Sequence, residues 1–307
     1  MSQRATALAA LLEALRVRDY HFITPTPLTH ARVLARADKQ VAGDLRDVFG
    51  WSLPFSPDVV GDSILRLLRN GDVLEQRGEH LRSLVRVSSL GADLFLHSAF
   101  PTTRSDAVFF GPDSYRFVRF LEEVLPVLPR AGHVVDVGTG SGVGALAAAQ
   151  LLPDAEITLT DINPAALELA AINWAQSKLP APHIVHGDTL AAVSNEIDVV
   201  IANPPYIADA THRTYRDGGG MHGAAVSVRW ADDAARRLPS GGALAMYTGS
   251  AIVGGEDPLR EALTEVLSDF DVRYEEIDPD VFGEELDRED YADVERIAAV
   301  GVVAVKR

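Results

Sequence analysis

The stretch HVVDVGTGSGVGALAAAQLL, residues 133–152, decides the reading of this chain. Its first six residues, HVVDVG, are apolar and β-branched enough to predict a buried strand, and GVGALAAAQLL predicts a helix directly after it. Gly138, Gly140 and Gly142 fall in the turn between them. Glycine lets backbone come close to a ligand, and the first N–H groups of the helix then point at it. A dinucleotide-binding turn would place its third glycine at position 143, where this chain has Val143. The plain alternative is a tight strand-to-helix turn with no ligand.

Outward from that stretch the pattern repeats. Strands are predicted at EITLTDI, PHIVHGD, IDVVIANPPY and ALAMYTG, alternating with helices at AALELAAINWAQ, AVSVRWADDAARRL and DPLREALTEVLSDF. VRYEEIDP and AAVGVVAVKR add two strands that suit an antiparallel pair closing the sheet. Alternating β and α segments predict an α/β fold, a doubly wound, seven-stranded, mostly parallel sheet with helices on both faces.

Residues 1–100 read differently. Helices are expected at 5–18, 28–37 and 58–69, the second entered through Thr26-Pro27. DVLEQRGEHLRSLVRV suggests a hairpin about Arg77-Gly78, and LFLHSAF a strand leading onward. Helices followed by a hairpin resemble a winged-helix module, so the expected division is a smaller N-terminal helical, winged-helix-like module (1–100) and a catalytic domain (101–307). Packing or substrate positioning is the expected role of the module. Nucleic-acid reading is the alternative, with Arg66 and Arg69 as contacts and Asp58 and Asp62 against it.

The net charge of −16 is uneven: residues 1–100 carry 12 basic against 11 acidic side chains, and the remainder 16 against 33. Such an acidic part repels phosphate backbones unless a local basic patch intervenes. The chain has no cysteine, which excludes disulfides and thiolate chemistry and fits a reducing compartment; the expected location is the cytoplasm. The N-terminus reads as an amphipathic helix interrupted by Glu13, and no apolar run approaches the roughly 18 residues of a membrane span.

Three further elements follow the glycine turn in order. Asp161, with Ile162 after it, ends ITLTD about 20 residues on, where an acidic side chain can accept from ribose hydroxyls. Gly187-Asp188-Thr189 follows the next strand; helix capping is the alternative for both acidic positions. Asn203-Pro204-Pro205-Tyr206 ends IDVVIA. In this order, over roughly residues 108–307, the sequence resembles class I S-adenosylmethionine-dependent methyltransferases with the N-P-P-Y motif.

That resemblance implies a Rossmann-like methyltransferase fold and S-adenosyl-L-methionine as cofactor. Asp136, Gly138, Thr139, Gly140 and Gly142 would hold its methionine end, Asp161 and Ile162 the ribose, and Asp188 and Thr189 the adenine side. Asn203 and the Pro204 carbonyl would accept the two N–H bonds of a planar NH₂, with Pro205 fixing the backbone and Tyr206 stacking on the acceptor; Asn203 borders the cofactor as well. FFGPDSYRF resembles the segment that covers the cofactor, making Phe110 and Tyr115 candidates to pack on it, with core packing as the alternative for Phe110; it is closer to ribosomal-RNA guanine N2 methyltransferases. GGGMHG resembles the corresponding region of N5-glutamine methyltransferases of release factors and suggests a substrate-side loop at Gly218 to Gly220.

The expected activity is therefore N-methylation of a glutamine amide in a protein substrate. An exocyclic amine of rRNA or DNA is the rival target, and a non-catalytic cofactor-binding regulator the rival class. No metal is expected, since His212 and His222 lack paired ligands. The run EEIDPDVFGEELDREDYADVE, with 11 acidic residues, reads as a solvated face or as a docking surface for a basic partner.

Overall fold

A computed structural model describes residues 2–209 and 213–307. The first part holds α1 (Gln3–Arg16), α2 (Pro27–Leu34), α3 (Leu45–Phe49) and α4 (Pro57–Asn70). Two antiparallel hairpins follow, β1 (Leu74–Arg77) with β2 (His80–Ser83), and β3 (Val85–Leu90) with β4 (Asp93–Ser98). The helix expected at 5–18 starts earlier because Ser2 caps it, its hydroxyl accepting from the Ala5 N–H. Thr26 caps α2, with Pro27 in the first turn as expected. The strand expected near 94–100 is one arm of a second hairpin, whose other arm lies in the run LVRVSSL.

Next come α5 (Pro112–Val124), β5 (His133–Val137), α6 (Val143–Leu151), β6 (Glu156–Asp161), α7 (Pro164–Trp174), β7 (His183–His186) and β8 (Val199–Ala202). The chain closes with α8 (Ala225–Arg237), β9 (Ala243–Val253), α9 (Pro258–Val266), β10 (Phe270–Asp278) and β11 (Val294–Lys306). Seven strands form one sheet in the order β10-β11-β9-β8-β5-β6-β7. Those from β9 to β7 are parallel, while β11 runs antiparallel between β9 and β10.

The period-two alternation of buried strands explains the two faces. Val134, Ile201 and Tyr247 point to the layer of α5 and α6. Val135, Val200 and Met246 point to that of α8 and α9. Both faces are thus covered, and the strand order reverses between β5 and β8. A crevice at the carboxyl ends of the strands is the consequence of such a reversal.

The front part packs its own core of Leu8, Leu11, Leu15, Phe49 and Leu68, but Ala166, Leu169 and Ile172 of α7 complete that core. Asn173 ties the two regions by hydrogen bonds. Buried, its Oδ1 accepts from the Leu96 N–H (2.8 Å), and its Nδ2 donates to the carbonyls of Leu96 (3.0 Å) and Ser141 (2.9 Å). Asn173→Ala leaves those backbone groups buried without partners, and a loss of about 2–4 kcal/mol is expected. Urea unfolding reads it as a lower midpoint at unchanged slope, and an unshifted midpoint would show that Asn173 holds nothing together.

Candidate active site

The glycine turn sits where the strand order reverses. Gly138, Gly140 and Gly142 have φ of 67°, 55° and 80°, the left-handed region that glycine alone enters without strain. Gly138 is also a place of close approach, since a Cβ there would lie 2.3 Å from the Trp230 ring. Asp136, buried at the end of β5, pins the start of α6: its Oδ2 accepts from the Thr139 hydroxyl (2.7 Å) and the Ala145 N–H (2.9 Å). Burial pushes its carboxyl up to about 7 against those two donors.

Asp161 stands at the end of the neighbouring strand, its Oδ2 accepting from the Gly140 N–H (2.9 Å) and its Oδ1 from the Asn163 N–H (2.8 Å). These bonds orient the carboxylate at the cavity wall; burial raises its pKa and the N–H donors oppose the rise. Asn163 caps α7 through Ala165 N–H, so capping falls to Asn163. Ile162, 50% exposed, offers an apolar edge beside Asp161, and Asp188, paired with Arg229 at 3.1 Å, borders the same space. Thr189 does not reach it. Its hydroxyl is turned to the Ala191 N–H, capping a 3₁₀ turn.

Asn203 follows β8, half-buried, and its side-chain amide makes no hydrogen bond among the described residues. Asn203, Pro204, Pro205 and Tyr206 all border a cavity of about 350 Å³ shared with Asp136, Gly138, Thr139, Gly140, Asp161, Ile162 and Asp188. Gly142 lies behind the turn against Ala170, outside that lining. The Tyr206 ring lies largely in the core, because Gly249 leaves room for it: a Cβ there would meet the ring at 2.2 Å. Its buried hydroxyl has no hydrogen-bond partner of normal geometry, although it faces Asp113 closely enough for that carboxylate to add to the upward pKa shift that burial causes.

Phe110 and Tyr115 correct the expectation placed on them. Phe110 is buried between Phe95 and His97 (ring centroids 5.4 Å from each), and Tyr115 meets its edge and accepts at its hydroxyl from the Thr24 N–H. Phe109 borders the cavity instead. In an extended segment adjacent side chains point opposite ways, so one position of offset exchanges core for cavity. His212 lies outside the described residues, and His222 pairs with Asp293 at 3.0 Å.

Sequence reasoning missed Asp113, Trp230 and Phe282, all at the cavity. Asp113, buried in the first turn of α5, accepts from the Tyr247 hydroxyl (2.9 Å), and burial raises its pKa. Trp230 forms the floor under Gly138, and Phe282 comes from the acidic run to meet Tyr206 edge-on at 5.8 Å. The acidic residue after Gly111-Pro112 was the one signal available for Asp113 in the chain.

A left-handed glycine turn, a carboxylate on the next strand and a cavity at the reversal of strand order define an α/β domain that binds a nucleoside-bearing cofactor. The residues fit S-adenosylmethionine: helix-terminal N–H groups for a carboxylate, Asp161 for a diol, Ile162 for the face of a base, and a cavity within the range of small-molecule sites. Residues 116–272 match the family model of the methyltransferase small domain, and the chain belongs to that family. It is an S-adenosylmethionine-dependent methyltransferase domain.

Among relatives, the release factor glutamine methyltransferase of Deinococcus radiodurans is 36% identical over 129 residues, 41% of this chain and 46% of that protein. The tRNA1(Val) (adenine(37)-N6)-methyltransferase of a Flavobacteriaceae bacterium is 37% identical over 97 residues, 28% and 41% of the two chains. Ribosomal RNA large subunit methyltransferase G of Shewanella baltica is 35% identical over 106 residues, 29% and 28%. The chain spans about half the length of the release factor methyltransferases it matches. The solved structure of M. jannaschii TYW2 in complex with AdoMet superposes at TM-score 0.49 with 13% identity, covering 73% of this chain and 87% of that one. Among the described residues no helix is long and apolar enough to cross a membrane, and no cluster of His, Asp or Glu is arranged to hold a metal.

Asp136 yields a pH prediction. Its folded-state pKa lies above the ordinary carboxylate value, so its contribution to stability is full below about pH 4 and is lost as pH rises through about 7. Relative to Asp136→Asn, the wild-type protein without cofactor is expected to lose stability across that window, read from denaturant midpoints at pH 4, 5, 6 and 7. Parallel curves for the two proteins would contradict this.

Proposed function

We propose that this protein is an N-methyltransferase whose acceptor is a planar NH₂ nitrogen, in first place a glutamine side-chain amide of a protein, acting in the cytoplasm. The observation that carries the reading is the Asn203 amide, without a hydrogen-bond partner among the described residues, in the cavity that holds the glycine turn and Asp161. Asn203 Oδ1 and the Pro204 carbonyl accept the two N–H bonds of the acceptor. The rings of Pro204 and Pro205 fix φ near −65° and so hold those acceptors in place.

Held by Asp136, Gly138, Thr139, Gly140, Asp161, Ile162 and Asp188, S-adenosylmethionine would supply an electrophilic methyl group on sulfonium. An amide nitrogen has its lone pair delocalised and is a poor nucleophile. Two acceptors on its N–H bonds favour the pyramidal nitrogen, so their hold strengthens as the new C–N bond forms. As the C–N bond forms, the S–CH3 bond would break and S-adenosylhomocysteine would leave, and one of the two protons hydrogen-bonded to Asn203 Oδ1 and the Pro204 carbonyl would pass to solvent water. Pro27 of the front module borders the cavity, consistent with a substrate-positioning role for residues 1–100.

The relatives named release factor glutamine methyltransferase support the amide acceptor. A second reading, methylation of an exocyclic amine in RNA, is favoured by a different observation. Phe109 and Tyr215 border the cavity as stacked rings, centroids 5.6 Å apart and planes within 5° of parallel, aromatic surface of the kind on which a nucleobase stacks.

Incubation of the protein with cell lysate and methyl-labelled cofactor separates the two. Label released by protease and resistant to nuclease is the expected result; label in nucleotides would transfer the assignment to RNA. Asn203→Ala is expected to lower turnover by about 10²–10³ while S-adenosylhomocysteine still binds. Undiminished turnover in that variant would refute the role of the motif.

A further inference from the structure

The acidic run between β10 and β11 is neither a bare solvated face nor a free tail. Val281 and Phe282 enter the core around the cavity, Phe282 with a left-handed φ of 57° that turns its ring onto Tyr206. Glu285 is buried and receives two guanidiniums, Arg216 at Oε1 and Arg288 at Oε2 (2.9 Å). Arg216 itself borders the cavity, one residue before Asp217, which bridges back to Ile207. Tyr291, 1% exposed, uses its hydroxyl twice: it accepts from the Ala208 N–H (2.9 Å) and donates to the His222 carbonyl (2.9 Å).

Ala208 lies two residues beyond the Asn-Pro-Pro-Tyr motif, and His222 lies in the glycine-rich loop before α8. We infer that residues 279–293 form a strap that holds the two walls of the acceptor half of the cavity at a fixed separation, with Tyr291 as the positioning residue that joins them and Glu285 as its second anchor. The inference rests on the acceptor-site reading above. It gives the acidic side chains two uses: Glu285, turned inward, fastens the loop at Arg216, while Asp280, Asp287, Glu289 and Asp290 stay in solvent. β8 ends at Ala202, so Asn203 and Pro204 lie on loop backbone, and the Tyr291 bond to Ala208, two residues beyond the motif, is a cross-link on which its geometry depends.

The test uses the full chain and two near-isosteric variants, Tyr291→Phe and Glu285→Gln. With the methyl-accepting lysate fraction as acceptor, kcat is expected to fall on the order of tenfold in each, while the KM for S-adenosylmethionine and the affinity for S-adenosylhomocysteine stay within about twofold of wild type. In the protein alone, amide hydrogen exchange across 207–209 and 213–224 is expected to quicken in Tyr291→Phe, and exchange in the glycine turn to stay unchanged. Wild-type kcat with unchanged exchange overturns the strap. So does a loss in which cofactor affinity falls together with kcat, since that marks general destabilisation. If the wild-type protein transfers no methyl at all, the acceptor reading fails, and the exchange comparison alone then decides whether the strap holds the loop.

Discussion

Three left-handed glycines between β5 and α6 are the constraint on which the rest of the site depends. They turn the chain sharply enough for the Thr139 N–H to reach the Thr160 carbonyl at 2.9 Å and the Gly140 N–H to reach Asp161 at the same distance. The strand beside β5 is thereby tied to the turn, and Asp161 is oriented by backbone it helps to hold. On the opposite side the missing Cβ of Gly138 admits Trp230, so α8 closes over the turn. Behind it the Asn173 amide bonds to Ser141 and, in the same step, to Leu96 of β4. One short loop thus meets three layers of the molecule.

The cavity has two halves built by different means. Its cofactor half is made of strand ends and a helix terminus, elements whose geometry the sheet imposes. Its acceptor half is made of loops: the segment after β8, residues 213–224, and the stretch between β10 and β11. Loops gain rigidity from cross-links, and here these include the Tyr291 hydroxyl, the Glu285 carboxylate and the bridge between Ile207 and Asp217. Such a division suits a family in which one donor is common to all members and acceptors differ.

Much of this was legible in the sequence because it is local. The glycine turn, the alternation of strands and helices, and the antiparallel closing pair follow from periodicity and turn chemistry over a few residues. The second hairpin was less visible: Val85–Leu90 is buried at almost every position, so it shows no alternation. Phe109 and Phe110 were exchanged because both faces of that segment are covered, and only tertiary packing decides which ring meets the cavity. Tyr206 could be placed at the site but not oriented, since the space for its ring is made by Gly249, 43 positions later. Trp230 and Phe282 lie further still, and no spacing rule connects them to the turn. The acidic run read as solvated because inward and outward carboxylates share one composition; Glu285 differs from its neighbours in being buried against Arg216 and Arg288.

A crystal structure with S-adenosylhomocysteine tests the central claim most directly, that one cavity at the reversal of strand order serves both donor and acceptor. The account predicts the ligand between Gly138 and Asn203, with its ribose hydroxyls within hydrogen-bond reach of Asp161 and its sulfur facing the Asn203 amide. Ligand bound away from that cavity, or bound within it with its sulfur turned from Asn203, would contradict the account.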